Sequence, residues 1–164
     1  GADLILGHGS HMAQEIERRG ERWIVHGLGN AVFNTPGRYD DEAQHPWSFV
    51  AALLAEADAN AVRLALRLYP VLSDNQDTGY RPRPATRRQA EDLAELLNAR
   101  SRAIGTQAIL QPARDAWGWH FAIDLGRRDL PLRAAAKEPA GTLAASGQAS
   151  TTAPGGPRRQ APVN

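Results

Sequence analysis

The chain has 164 residues, of which 19 are basic and 18 acidic, for a formal net charge of +1. That balance gives no case for nucleic acid or an anionic membrane surface as a partner. With no cysteine in the chain, disulfides, thiolate metal sites and a cysteine nucleophile are excluded, and no apolar run approaches the ~20 residues of a membrane-spanning helix.

Asp3–Leu6 reads as a short buried strand that stops at Gly7. His8 and His11 follow at once, where a strand delivers its C-terminal end to the edge of a sheet and where sites tend to lie. Two such imidazoles could hold a divalent metal, or be surface histidines on a glycine-rich turn. Gly9-Ser10-His11-Met12 also spells a common expression-tag remnant, here at an internal position. Glu15–Arg19 and Arg22–Val25 read as a hairpin about Gly20, although Met12–Arg18 has room for a turn or two of helix. Gly29-Asn30 has the composition of a tight turn. Phe33–Tyr39, with Asn34, Pro36 and Gly37, reads as a loop.

Ser48–Ala55 and Ala61–Leu68 form the strongest antiparallel pair. In the second, Val62, Leu64, Leu66 and Leu68 alternate with Arg63, Ala65 and Arg67, the period of a strand with one solvated face. Asp58-Ala59-Asn60 supplies the turn. The alanine-rich first member could also be helical; its alternating partner favours a strand. Thr86–Arg102 reads as the clearest helix, capped by Thr86, with Ala90, Leu93, Leu96 and Leu97 on one face. Trp119–Leu125 reads as a last strand, and Trp117 and Trp119 as core or edge aromatics. His45 and His120 are assigned to loop and strand structure. The basic clusters Arg81–Arg88 and Arg127–Arg128 read as solvated faces. From about Leu132, Ala, Gly, Pro, Ser and Thr dominate, which predicts a disordered tail over 131–164 behind a folded part over 1–130. No Gly-x-Ser-x-Gly elbow and no phosphate-cradling Gly-rich loop occurs.

The first 39 residues resemble the C-terminal part of the CapA-type capsule-synthesis (poly-γ-glutamate biosynthesis) family, which is metallophosphoesterase-like. The positions that carry the resemblance are Asp3, Gly7, His8, His11, Gln14, Glu17, Gly20, Ile24, Val25, Leu28, Gly29, Asn30 and Phe33. They flank Gly9–Met12 on both sides, so those residues read as native. A weaker resemblance continues through Ser48–Arg67 toward Pro84. Gly9 stands where the family often has a histidine, and His26-Gly27 where it usually has a tyrosine and a serine, so His26 reads as a partly buried structural residue. The family's acidic metal motif, Asn-Asn-His segment and His-x-Gly-Glu segment have no counterpart in the chain, which therefore reads as a C-terminal fragment.

The resemblance implies an α/β (α+β) fold: the C-terminal part of a calcineurin-like metallophosphoesterase β-sandwich flanked by helices. It implies that His8 and His11 are ligands to divalent metal ions, two in the intact parent (Mn, Fe or Zn). Asn30 becomes the candidate catalytic residue, its amide orienting a substrate or a ligand. Arg38 and Tyr39 become candidate substrate-binding residues on a loop facing the same pocket; the plain alternative is a surface turn. The implied activity is a dinuclear-metal hydrolase acting on a phosphate ester or an anionic, polymer-related substrate. The alternative is a non-catalytic scaffold in a membrane polymer-synthesis complex. The implied location is the bacterial cell envelope or beyond it.

Overall fold

A computed structural model describes residues 1–32, 39–40, 44–106 and 109–130. Strands dominate, arranged in two sheets with few helices. The smaller sheet holds β1 (Leu4–Leu6), β2 (Ile16–Arg19) and β3 (Arg22–Val25) in the order β1-β3-β2. β1 runs parallel to β3, with Ile5 opposite Ile24. β2 and β3 form the expected hairpin, with Gly20 at its turn at φ +63°. The larger sheet holds β4 (Trp47–Ala57), β5 (Ala61–Leu72), β7 (Pro112–Asp115) and β8 (Gly118–Asp129) in the order β4-β5-β8-β7, and β6 (Arg83–Pro84) adds to the end of β5.

The long hairpin β4–β5 is the alternating pair expected from the sequence, and the turn works as its residues suggest. The Asp58 carboxylate accepts hydrogen bonds from the Asn60 and Ala61 amides, at 2.8 Å each. On β5 the apolar set Leu66 and Leu68 is fully buried, together with Phe121 and Ile123 of β8. The β5–β8 ladder slips by one residue beside Gly126, whose φ of +84° suits such a bulge.

A short helix, α1 (Asn75–Thr78), follows β5. The main helix, α2 (Arg87–Ala103), starts at a full capping box. The Thr86 hydroxyl accepts from the Gln89 amide, and the Gln89 side chain accepts from the Thr86 amide. Its buried stripe is Ala90, Leu93, Ala94, Leu97 and Ser101. Leu96, expected on that face, is 36% exposed; it lies a helical step off the stripe, and Ala94 fills its place. α2 packs against both sheets, and one core joins Ile16 and Val25 of the small sheet to Leu66, Leu93, Leu97 and Phe121. The end of the helix also holds the small sheet by its backbone. Ser101 Oγ accepts from the Ile16 amide (3.2 Å) and Thr106 Oγ1 from the Arg18 amide (2.9 Å).

The expectation of a buried first strand needs correction. β1 is not buried: Ile5 is 48% and Leu6 37% exposed, because β1 is the outer strand of its sheet and is covered on one side only. α1, β6 and β7 went unread because each is too short to show a period, and prolines interrupt two of them. The expected tail, 131–164, lies outside the described residues.

Two substitutions separate core from cap. Leu66→Ala is expected to cost about 2–5 kcal/mol through the cavity it leaves, and Thr86→Ala about 1 kcal/mol through the lost cap. Urea unfolding midpoints, with the transition slope held common, give both values.

Candidate functional site

The strand ends of the small sheet feed two loops that lie backbone against backbone. The Gly7 amide donates to Val25 O (2.7 Å), and Gly7 O accepts from the Leu28 amide (2.9 Å). A Cβ at Gly7 would stand 2.3 Å from His26 O, so only glycine admits this approach. Gly29, at φ +82°, faces a second barrier: a Cβ there would meet Ser48 Oγ at 2.3 Å. The first loop therefore carries His8 and His11 against the second, which ends at Asn30.

His11 is the organised member of the pair. Its backbone has φ +63°, an uncommon left-handed conformation for a side-chain-bearing residue. Such strain persists where surrounding contacts hold it, and the contacts are present. His11 O accepts from Asn30 Nδ2 (3.2 Å) and from the Tyr39 hydroxyl (3.1 Å). At the other end of the amide, Asn30 Oδ1 stands 3.1 Å from His11 Nδ1. This double contact has one consistent assignment. Turned around, the amide would set oxygen against the His11 carbonyl, so Oδ1 must face the ring. Nδ1 then carries a proton and donates. Asn30 is itself anchored: its backbone N–H donates to Ser48 Oγ (2.9 Å), which shares a hydrogen bond with Ser73 Oγ (2.8 Å), both serines being buried. Neither serine was singled out from the sequence.

The other candidates are placed as follows. His8 is exposed at the end of β1. Tyr39 comes to His11 through its hydroxyl. Arg38 lies outside the described residues. His26 is exposed rather than partly buried; it sits at the sheet end, where its Nε2 meets Glu17 at 3.0 Å. Glu17 also binds Arg19, and the two partners, Arg19 first, hold its carboxyl below the usual range. Two imidazoles are suitable donors for a divalent ion. Among the described residues, however, no group of three or more His, Asp or Glu side chains converges. A catalytic metal centre takes about three protein ligands, so these residues do not make one by themselves.

A second polar group, missed in the sequence, lies on the outer face of the larger sheet. Asp115 Oδ2 accepts from the Tyr69 hydroxyl (2.7 Å) and from Arg67 (2.8 Å), with His120 Nδ1 at 3.6 Å. Its Oδ1 accepts from the amides of Trp117 (2.8 Å) and Gly118 (3.2 Å). The Tyr69 hydrogen bond foremost, opposed by burial, holds the carboxyl at about 2. The Asp-Ala-Trp-Gly turn was the available signal.

Residues 1–35 match the family model of the bacterial capsule synthesis protein PGA_cap. The matched stretch contains both loops, His8, His11 and Asn30, and relates this part of the chain to capsule synthesis. No curated protein matches the chain.

Beside the site, His45 is buried and its imidazole is pushed down from 6.5 to about 4, by burial first and by the Arg100 charge second. Between those values the unfolded chain binds the proton and the folded chain does not. Stability is therefore full above about pH 6.5 and falls as the pH drops toward 4. Urea midpoints measured across this window should decline with acid, and His45→Gln should flatten the decline.

Proposed function

We propose that the His8–His11 turn and Asn30 form the histidine corner of a divalent-metal, metallophosphoesterase-like site in a protein of bacterial capsule or poly-γ-glutamate synthesis. The remaining ligands come from outside the described residues. The observation that carries this is the two-ended grip of Asn30 on His11. A ligating histidine needs its lone pair aimed and its other nitrogen held by an acceptor, and Asn30 Oδ1 is placed to hold Nδ1 in that way. The strained His11 backbone and the match over residues 1–35 support the same reading.

Asn30 thus acts on His11, as a positioning residue. The Tyr39 hydroxyl donates to the His11 carbonyl as well, and Arg38 is the cation proposed to meet the negative charge of a substrate. Divalent ions, where bound, supply Lewis-acid charge to a phosphate ester. The contribution of this chain is to hold two imidazoles at a fixed turn.

Titration calorimetry with Zn²⁺ tests the corner directly. The chain is expected to bind the ion weakly, His8→Ala and His11→Ala should each remove that binding, and Asn30→Ala should weaken it with the circular dichroism spectrum unchanged. Binding that survives in both histidine variants would overturn the assignment.

Hydrolysis of an aryl phosphate with added Mn²⁺, Zn²⁺ or Fe²⁺ is a separate measurement. The 164-residue chain should show no turnover. Metal-dependent turnover lost in His8→Ala would mean that the chain holds a complete ligand set after all.

A further inference from the structure

β4 is one margin of the larger sheet, and its backbone groups alternate in direction. Pro46 O accepts from the Ser73 amide at one end of the β4–β5 hairpin, and the Asp58 amide donates to Ala61 O at the other, both at 2.9 Å. Even-numbered residues of β4 therefore bond β5, and odd-numbered residues turn their amides and carbonyls outward. The loops of the histidine corner take the first of these outward groups. Ala13 donates to Trp47 O, and the Phe49 amide donates to Leu28 O. Beyond that point the outward groups of Ala51, Leu53, Ala55 and Ala57 meet no partner among the described residues.

Proteins blunt such a margin with charge, proline or brevity. β7, at the opposite margin, carries Pro112 and Arg114. β4 uses none of these devices over its middle. It runs for 11 residues, and Phe49–Ala55 contain neither a charge nor a proline. Leu53 is 59% exposed in that stretch.

We infer that β4 pairs with β4 of a second copy of this chain, antiparallel about a two-fold axis at Leu54, so that one sheet runs through a dimer. Open amides and carbonyls at strand spacing select an extended strand as occupant. The uncharged margin adds that the strand brings no charge to its centre. Among the described residues β4 itself meets that requirement over the greatest length; β1 has three residues and β7 four. A two-fold pairing also uses the same surface on both copies.

The register follows from the blocked end. Leu28 occupies the margin at Phe49, so the paired stretch of the second copy must end before it. With Leu54 on the axis, Leu53 exchanges both bonds with Ala55 of the second copy, and Ala51 with Ala57. Glu56 then stands opposite Ala52 of the other copy. Arg67 is the neighbour of Ala52 on β5, and Arg63 the neighbour of Glu56. The row across the interface reads arginine, alanine, glutamate, arginine, and no like charges stand directly opposite.

Sedimentation equilibrium of the full 164-residue chain should show a reversible dimer. Ala55→Pro removes an outward amide and leaves the β4–β5 ladder whole. Leu53→Lys sets a charge on the margin. Each should weaken dimerisation about tenfold or more with the circular dichroism spectrum unchanged. The register has its own readout, because the chain contains no cysteine. Leu54→Cys should cross-link two copies on mild oxidation, since opposed residues of a non-hydrogen-bonded pair lie about 4.5 Å apart; Val50→Cys should not. A chain that stays monomeric up to about 100 μM, a dimer that Ala55→Pro and Leu53→Lys both leave intact, or cross-linking through Val50→Cys in place of Leu54→Cys would overturn the proposal. None of these readouts involves a metal, so they stand apart from the fate of the histidine corner.

Discussion

The close approach of two backbone loops governs the site end of this fold. Gly7 and Gly29 remove the Cβ atoms that would otherwise stand 2.3 Å from His26 O and from Ser48 Oγ. With those atoms absent, Gly7 and Leu28 hydrogen-bond directly, the Ala13 amide reaches Trp47 O at 2.6 Å, and the Phe49 amide reaches Leu28 O at 2.7 Å. The same contacts that present His11 therefore also fasten the small sheet to the first strand of the large one. A larger residue at either glycine would disturb both connections at once, since cores and close contacts do not deform smoothly.

The hydrophobic core and the polar contacts divide the work of holding this arrangement. Ile16, Val25, Leu66, Leu93, Leu97 and Phe121 supply the non-directional part, and they draw the two sheets and α2 together. Direction comes from a small set of buried hydroxyls. Ser48 and Ser73 sit under Asn30, and Ser101 sits under Ile16. Each meets a backbone or side-chain polar group that would otherwise be buried without a partner. The outer face of the large sheet repeats the pattern with a carboxylate, where Asp115 gathers four donors.

What the sequence disclosed follows from the range over which each signal acts. Period-two alternation in Val62–Leu68 and the Thr86 cap are local, and both elements lie where they were expected. The Gly-His-x-x-His and Gly-x-Gly-Asn segments were legible as motifs because their glycines and histidines are unusual residues at fixed spacing. The link between them was not legible: His11 and Asn30 are 19 residues apart and meet through side-chain atoms. Arg67 and Asp115, 48 residues apart, meet only because β5, β8 and β7 lie side by side. Burial misled for β1 because an apolar run reports what a strand would do if covered, not whether it is covered. Leu96 misled because four apolar residues in eight positions do not fix which of them a stripe includes.

The hydroxyls of Ser101 and Thr106 have a consequence for the way the small sheet can grow. They occupy the amides of Ile16 and Arg18 on the outer side of β2, which a further strand would need for its ladder. An edge blocked in that manner resists pairing with other chains. β1, at the opposite margin, has no comparable block among the described contacts, and its Leu-Ile-Leu run has the composition of a strand flanked on both sides. Among the described residues the three-stranded sheet is thus polarised, blocked at β2 by two hydroxyls and not so blocked at β1, beside the turn that bears His8 and His11.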